Sequence, residues 1–116
     1  MITLYGIKSC DTCRKARKAL DGLGTPYRYH DLREDGLSGE QLDRFIAQAD
    51  LAVLLNTRST TWRALDDSDQ RAAQADPRHA RALMLAQPTL LKRPLLDTEE
   101  RLMVGFKAGD YASLAG

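Results

Sequence analysis

The chain is 116 residues long, enough for one domain and too short for two independent cores. Hydrophobic residues make up 43% and charged residues 28%, a balance that excludes a disordered chain. Lys and Arg number 17 against 16 Asp and Glu, and the net charge of +1 lacks the basic excess of a general nucleic-acid binder.

Ile2 to Tyr5 is short, apolar and β-prone, and Gly6 closes it, so a buried strand is expected. Ser9-Cys10-Asp11-Thr12 offers several capping residues at a helix start. Ala16, Leu20 and Leu23 then recur at helical spacing, and Gly22 and Gly24 end the helix. Pro26 to His30 alternates as a second strand. The first third therefore reads strand, helix, strand, with both cysteines at the first turn.

Asp35-Gly36 marks a turn, and Ser38 with Gln41 forms a capping-box pattern ahead of a helix that buries Leu42, Phe45 and Ile46. Further helical stretches follow, with Asp76-Pro77 as one entry and Gln87-Pro88 as the last exit. Thr89 to Leu91, Leu95-Leu96 and Leu102 to Val104 read as short strands, with Asp97 to Glu100 as the turn between the last two. Lys107 to Leu114 reads as a short closing helix. The predicted fold class is α/β: a βαβ unit, a helical insert over about 38–87, a β-hairpin and a C-terminal helix, all in one domain.

No apolar run is long enough to span a bilayer. The first residues lack the charged segment and apolar stretch of a secretory leader. The two cysteines, Cys10 and Cys13, are too close together to staple a fold. The expectation is a cytoplasmic protein without membrane attachment. Nothing calls for an obligate dimer, so a monomer is expected.

Cys10-Asp11-Thr12-Cys13 is the sharpest feature. A CxxC pair between a strand and a helix is the context of a thioredoxin-like redox site. Unpaired N–H groups and the positive end of the helix dipole favour a thiolate at Cys10. Lys8, Arg14 and Arg17 add positive charge nearby. Cys10 is thus the expected nucleophile, and Cys13, one turn on, the thiol that would resolve a mixed disulfide. Cys13 also falls on the apolar helix face, where it could simply be packed. A zinc site would need ligands beyond the two cysteines, and only His30 and His79 remain, so no metal is expected. The basic residues Lys8, Arg14, Lys15, Arg17 and Lys18 read as a solvated face or as a patch for the carboxylates of a small substrate. Trp62 reads as a core anchor of the insert.

Tyr5 to Ala16, Leu55 to Trp62 (LNTRSTTW) and Lys92-Arg93-Pro94-Leu95 together resemble the arsenate reductase (ArsC)/Spx family, nearest its YffB branch. With Gly105-Phe106 the match covers nearly the whole chain. The resemblance implies a thioredoxin-like fold, a nucleophilic Cys10, and a glutathione-dependent thiol reductase that binds no cofactor and takes a small oxidised thiol substrate. It implies that Pro94 is a cis-proline facing the cysteine and shaping the substrate groove. Arg93 would then approach Cys10, its planar fork suited to an oxyanion or thiolate. A functional arginine is implied in the Asn56–Thr61 stretch, either Arg58 or, in another alignment, Asn56 at that place. The family's arsenate reductases carry a third arginine near the last strand, where this chain reads Leu102 to Lys107 without one. Arsenate is therefore not the expected physiological substrate. The CxxC pair also fits an Spx-like redox switch in a regulator that binds RNA polymerase.

Overall fold

The computed structural model describes residues 2–107 and 109–114, the side chain of Ser113 excepted. The chain divides into two compact units, residues 1–35 with 93–116, and residues 36–92.

The first unit is built on a four-stranded sheet in the order β2-β1-β3-β4. Its strands are β1 (Ile2–Gly6), β2 (Tyr27–Asp31), β3 (Leu95–Asp97) and β4 (Leu102–Val104). β1 runs parallel to β2, with Leu4 opposite Tyr29, and antiparallel to β3, with Leu4 opposite Leu96. β3 and β4 form the expected antiparallel hairpin. Between β1 and β2 the chain crosses over in helix α1 (Asp11–Leu23). That helix buries Cys13, Ala16 and Leu20, residues at helical spacing on one face. Gly24 ends it in the left-handed conformation, with φ 68° and its N–H on the Asp21 carbonyl. Leu4, Ala16, Leu20, Leu96 and Tyr111 form the buried cluster joining helix and sheet. This is the expected α/β, thioredoxin-like arrangement.

The second unit is helical: α2 (Gly39–Gln48), α3 (Leu51–Leu54), α4 (Thr60–Ala64), α5 (Asp67–Ala75) and α6 (Pro77–Ala86). Local side chains start nearly all of them. At α2 the Gln41 N–H donates to Ser38 Oγ at 3.1 Å and the Ser38 N–H to Gln41 Oε1 at 2.9 Å, a complete capping box. Ser59, Asp66 and Asp76 cap α4, α5 and α6 with a single side-chain acceptor each, for the N–H groups of Trp62, Asp69 and Arg78. Arg81 of α6 grips Asp43 of α2 through two hydrogen bonds of 2.8 and 3.1 Å. Trp62 is buried, and the Gln70 amide donates to its carbonyl at 2.9 Å.

Two sequence expectations are corrected. Thr89–Leu91 is no strand: Pro88–Leu90 forms a 3-10 turn, because the Leu90 and Leu91 N–H groups donate back to Gln87 and Pro88. Leu91 keeps one β-bridge, to Leu55. The closing helix over Lys107–Leu114 is also absent from the described residues, Ala108 lying outside them. Gly109 takes φ 90°, which interrupts a right-handed helix, and only Ala112–Leu114 coils, as a 3-10 turn. Among the described residues no helix is long and apolar enough to cross a membrane.

Ser38→Ala removes one half of the α2 capping box. It is expected to lower stability by about 1 kcal/mol, seen as a lower urea midpoint with unchanged slope.

Candidate active site

Cys10 is the N-cap of α1, in extended conformation with φ −89° and ψ 118°. Its N–H donates to the Ile7 carbonyl at 3.2 Å and its carbonyl accepts from Arg14 at 3.0 Å. The backbone thus turns tightly out of β1 and into the helix. The Cys10 side chain stays part-exposed, while Cys13 is fully buried.

The two sulfurs have opposite acidities. Burial opposes ionisation of Cys10, but hydrogen bonds from the Cys13 N–H, the Cys13 thiol and the Thr12 N–H, with the charge of Arg93, outweigh it and lower its pKa. Burial pushes Cys13 up to about 12. An N–H from Ile7 and the Arg93 charge pull it the other way, but the bond to Cys10 and the Cys10 charge hold its proton in place. Of the two, Cys10 is the sulfur that ionises more readily and Cys13 the one that donates to it.

Arg93 and Pro94 enter the same unit immediately before β3. The Arg93–Pro94 peptide is cis. Pro94 is buried and its carbonyl accepts from the Gly105 N–H at 2.8 Å, tying it to the end of β4. Arg93 is half-buried, and its guanidinium lies in the field of both cysteines. The structure therefore brings Cys10, Cys13, Arg93 and Pro94 together in one unit.

Lys8 lies in the β1–α1 loop but is engaged elsewhere. Its ammonium pairs with Glu34 at 3.1 Å and its N–H donates to Asp31 Oδ2 at 3.2 Å. Asn56 and Arg58 belong to the second unit, in the loop between α3 and α4. There the Arg58 N–H donates to Asn56 Oδ1 at 3.0 Å, an Asx turn leading to the Ser59 cap. His30 stacks on Tyr5 with ring centres 5.0 Å apart, and His79 meets Asp69 at 3.1 Å. No group of three or more metal-ligating side chains occurs among the described residues.

Two residues that position the site escaped the sequence reading. A Cβ on Gly6 would sit 2.7 Å from Cys13 Sγ and 3.1 Å from Cys13 Cβ. Only a glycine lets α1 approach β1 this closely, and β1 continues through it rather than ending there. Asp31, at the end of β2, is buried at 3% exposure. Burial would raise its pKa, but N–H groups of Glu34, Arg33 and Lys8 and the Lys8 charge hold it below the usual carboxylate range. Its anion thus stabilises the loop above that range, a contribution lost in acid as pH falls through the lowered pKa. A glycine before a CxxC helix, and an acid followed by Leu-Arg-Glu-Asp, were the available signals.

Loss of the Arg93 charge in Arg93→Ala should move the pH profile of Cys10 alkylation to higher pH, while Cys13 stays unmodified at neutral pH in the native protein. Peptide mass analysis across a pH series reads both. Gly6→Ala should cost about 1–3 kcal/mol through overpacking, and Cys13→Ala added to it should recover part of that in thermal unfolding.

The family model for the ArsC family matches residues 5–114. Among solved structures, a YffB protein superposes with a TM-score of 0.90 at 41% identity, over 100% of both chains. An arsenate reductase (ArsC) related protein from Brucella melitensis gives a TM-score of 0.76 at 45% identity, covering 97% of this chain and 92% of its own. The global transcriptional regulator Spx of Listeria innocua is 32% identical over 109 residues, 91% of this chain and 80% of that protein. With its cysteine pair at the helix start and this match along almost its full length, the chain belongs to the ArsC/Spx family, near the YffB branch, and is a thiol-based redox protein.

Proposed function

We propose that this chain is a glutathione-dependent thiol–disulfide oxidoreductase with Cys10 as nucleophile. The observation that carries the reading is the Cys10 sulfur at the start of α1, its pKa lowered by N–H groups, the Cys13 thiol and Arg93. The thiolate is the reacting form, so a sulfur whose pKa is lowered attacks more readily than an ordinary thiol.

In the first step Cys10 thiolate attacks one sulfur of an oxidised small thiol, such as oxidised glutathione. The Cys10–S bond forms, the disulfide breaks, and the second sulfur leaves with the electron pair. Arg93 offsets the charge on the attacking and departing sulfurs. Either a second glutathione or Cys13 then resolves the mixed disulfide. Glutathione is a reductant here, and the reading calls for no bound cofactor. The site acts as a monomer, in the cytoplasm, without contact with nucleic acid or membrane. The roles assigned to Arg58 and Asn56 rest on the family resemblance, and that of Lys8 on its positive charge in the loop before Cys10.

A second reading is an Spx-like regulator in which Cys10 and Cys13 switch state with oxidants and the surface docks on RNA polymerase. The hydrogen bond between the two sulfurs and the Spx relatives favour it.

Incubation with oxidised glutathione followed by intact mass separates these. Wild type is expected to lose two hydrogens, as a Cys10–Cys13 disulfide, after a transient adduct of one glutathione. Cys13→Ser should keep the adduct, and Cys10→Ser should show none. Catalytic turnover with reduced glutathione marks the enzyme; stoichiometric oxidation without turnover, with capture of polymerase, marks the regulator.

A further inference from the structure

While α1 buries Cys13, Ala16 and Leu20 on one side, it presents Arg14, Lys15 and Lys18 to solvent on another, with Arg17 half-buried. Two of these cations are engaged. Arg14 pairs with Asp11, and the Arg17 guanidinium lies 4.2 Å from the centre of the Tyr29 ring. Lys15 and Lys18 make no ion pair or hydrogen bond among the described residues.

This pattern works against the free helix. Arg14 and Lys18, like Lys15 and Lys18, stand at helical spacings where side chains are neighbours and like charges repel. The macrodipole favours cations in the last turn, and the last turn has none. Nor does the stripe sharpen the nucleophile, since the positive charge that acts most on Cys10 is Arg93. Its place relative to the nucleophile is fixed by the backbone. The Arg14 N–H donates to the Cys10 carbonyl at 3.0 Å, so the stripe begins one turn from Cys10. Lys18 is a further turn on, about 12 Å from Cys10 along the helix axis. The groove among these side chains, about 460 Å³, takes its walls from α1 alone and so does not enclose a small molecule. An extended chain, at about 3.4 Å per residue, covers the stripe in about four residues.

We propose that this face of α1 docks an acidic segment of a protein substrate whose disulfide is presented to Cys10. The inference rests on the oxidoreductase reading above and adds a substrate class to it: a protein disulfide flanked by Asp or Glu. Cys10 thiolate attacks the near sulfur and the Cys10–S bond forms. The S–S bond of the substrate breaks, and its far sulfur leaves with the electron pair and takes up a proton from water. The lysines take no part in this exchange. They raise the encounter rate of an anionic partner, which in turn offsets the repulsion among them. With a net charge of +1, the chain attracts anions through this face rather than as a whole.

The probes are three peptides that differ only in having Glu, Gln or Lys beside a single cysteine. Each is disulfide-linked to a chromogenic thiol whose release reports attack by Cys10. At low salt the Glu peptide should react about tenfold faster than the Gln peptide, and the Lys peptide more slowly than either. Salt at about 1 M, with a screening length of about 3 Å, should remove the difference. Lys15→Gln combined with Lys18→Gln should remove most of the Glu-peptide advantage. It should leave unchanged the Gln-peptide rate and the alkylation of Cys10 by neutral iodoacetamide, and should not lower the thermal midpoint. Lys15→Glu combined with Lys18→Glu should turn the preference to the Lys peptide. Equal rates for the three peptides, or a Glu-peptide advantage that survives in the Gln variant, overturn the inference and leave the oxidoreductase reading standing. So does binding of a single-stranded oligonucleotide that the Gln variant loses, if the Glu peptide has no advantage; the face would then belong to nucleic acid. If no peptide releases its thiol while iodoacetamide still alkylates Cys10, the oxidoreductase reading falls and the inference with it.

Discussion

The close seating of Cys13 on Gly6 is the constraint on which the first unit depends. It sets how near α1 lies to β1, and so where the helix begins. Cys10 follows from it, because the N-cap residue is placed by the helix that follows it. With a side chain at position 6 the sulfur of Cys13 would be pushed outward and Cys10 carried with it. The rest of the unit is arranged to hold that approach. Leu4 and Leu96 supply the apolar floor, and Ala16 and Leu20 continue the helix contact one and two turns on.

The chemistry of the cysteine pair comes from the same contact. One sulfur is at a helix start, where backbone N–H groups have no helical acceptor and meet negative charge well. The other is one turn inside, where burial denies it charge. Identical thiols therefore take opposite roles through their depth and the donors each one meets. Arg93 adds a fixed positive charge to both, so that ionisation of either is eased, but only at Cys10 do charge and donors outweigh burial. Asp31 steadies the connecting loop from the other side, taking N–H groups from Lys8, Arg33 and Glu34. Lys8, whose charge drew attention in the sequence, spends it on Glu34.

Family likeness and geometry bear on different levels of the function. The family match spans proteins named as arsenate reductases and as Spx regulators, so by itself it establishes thiol-based redox chemistry. The geometry adds which sulfur reacts first: Cys10 is the more acidic thiol and Cys13 holds its proton beside it.

By itself the sequence determined the βαβ start, the CxxC pair at a helix N-terminus, the capped helices of the second unit and the β3–β4 hairpin. These are local: periodicity, capping side chains and turn residues act within a few positions. The strand expected at Thr89–Leu91 failed for a reason just outside that range. Leucine-rich runs suit a strand or a buried turn equally, and the choice fell to the bonds closing back on Gln87 and Pro88. The closing helix failed because Gly109 takes a positive φ that its sequence permits but does not require. What only the tertiary structure decided is the setting of the site: that Gly6 is a seat for sulfur, that Asp31 is a buried anion, and that Arg93 acts on both cysteines. Each depends on residues far apart in the chain meeting, and no local pattern encodes that meeting.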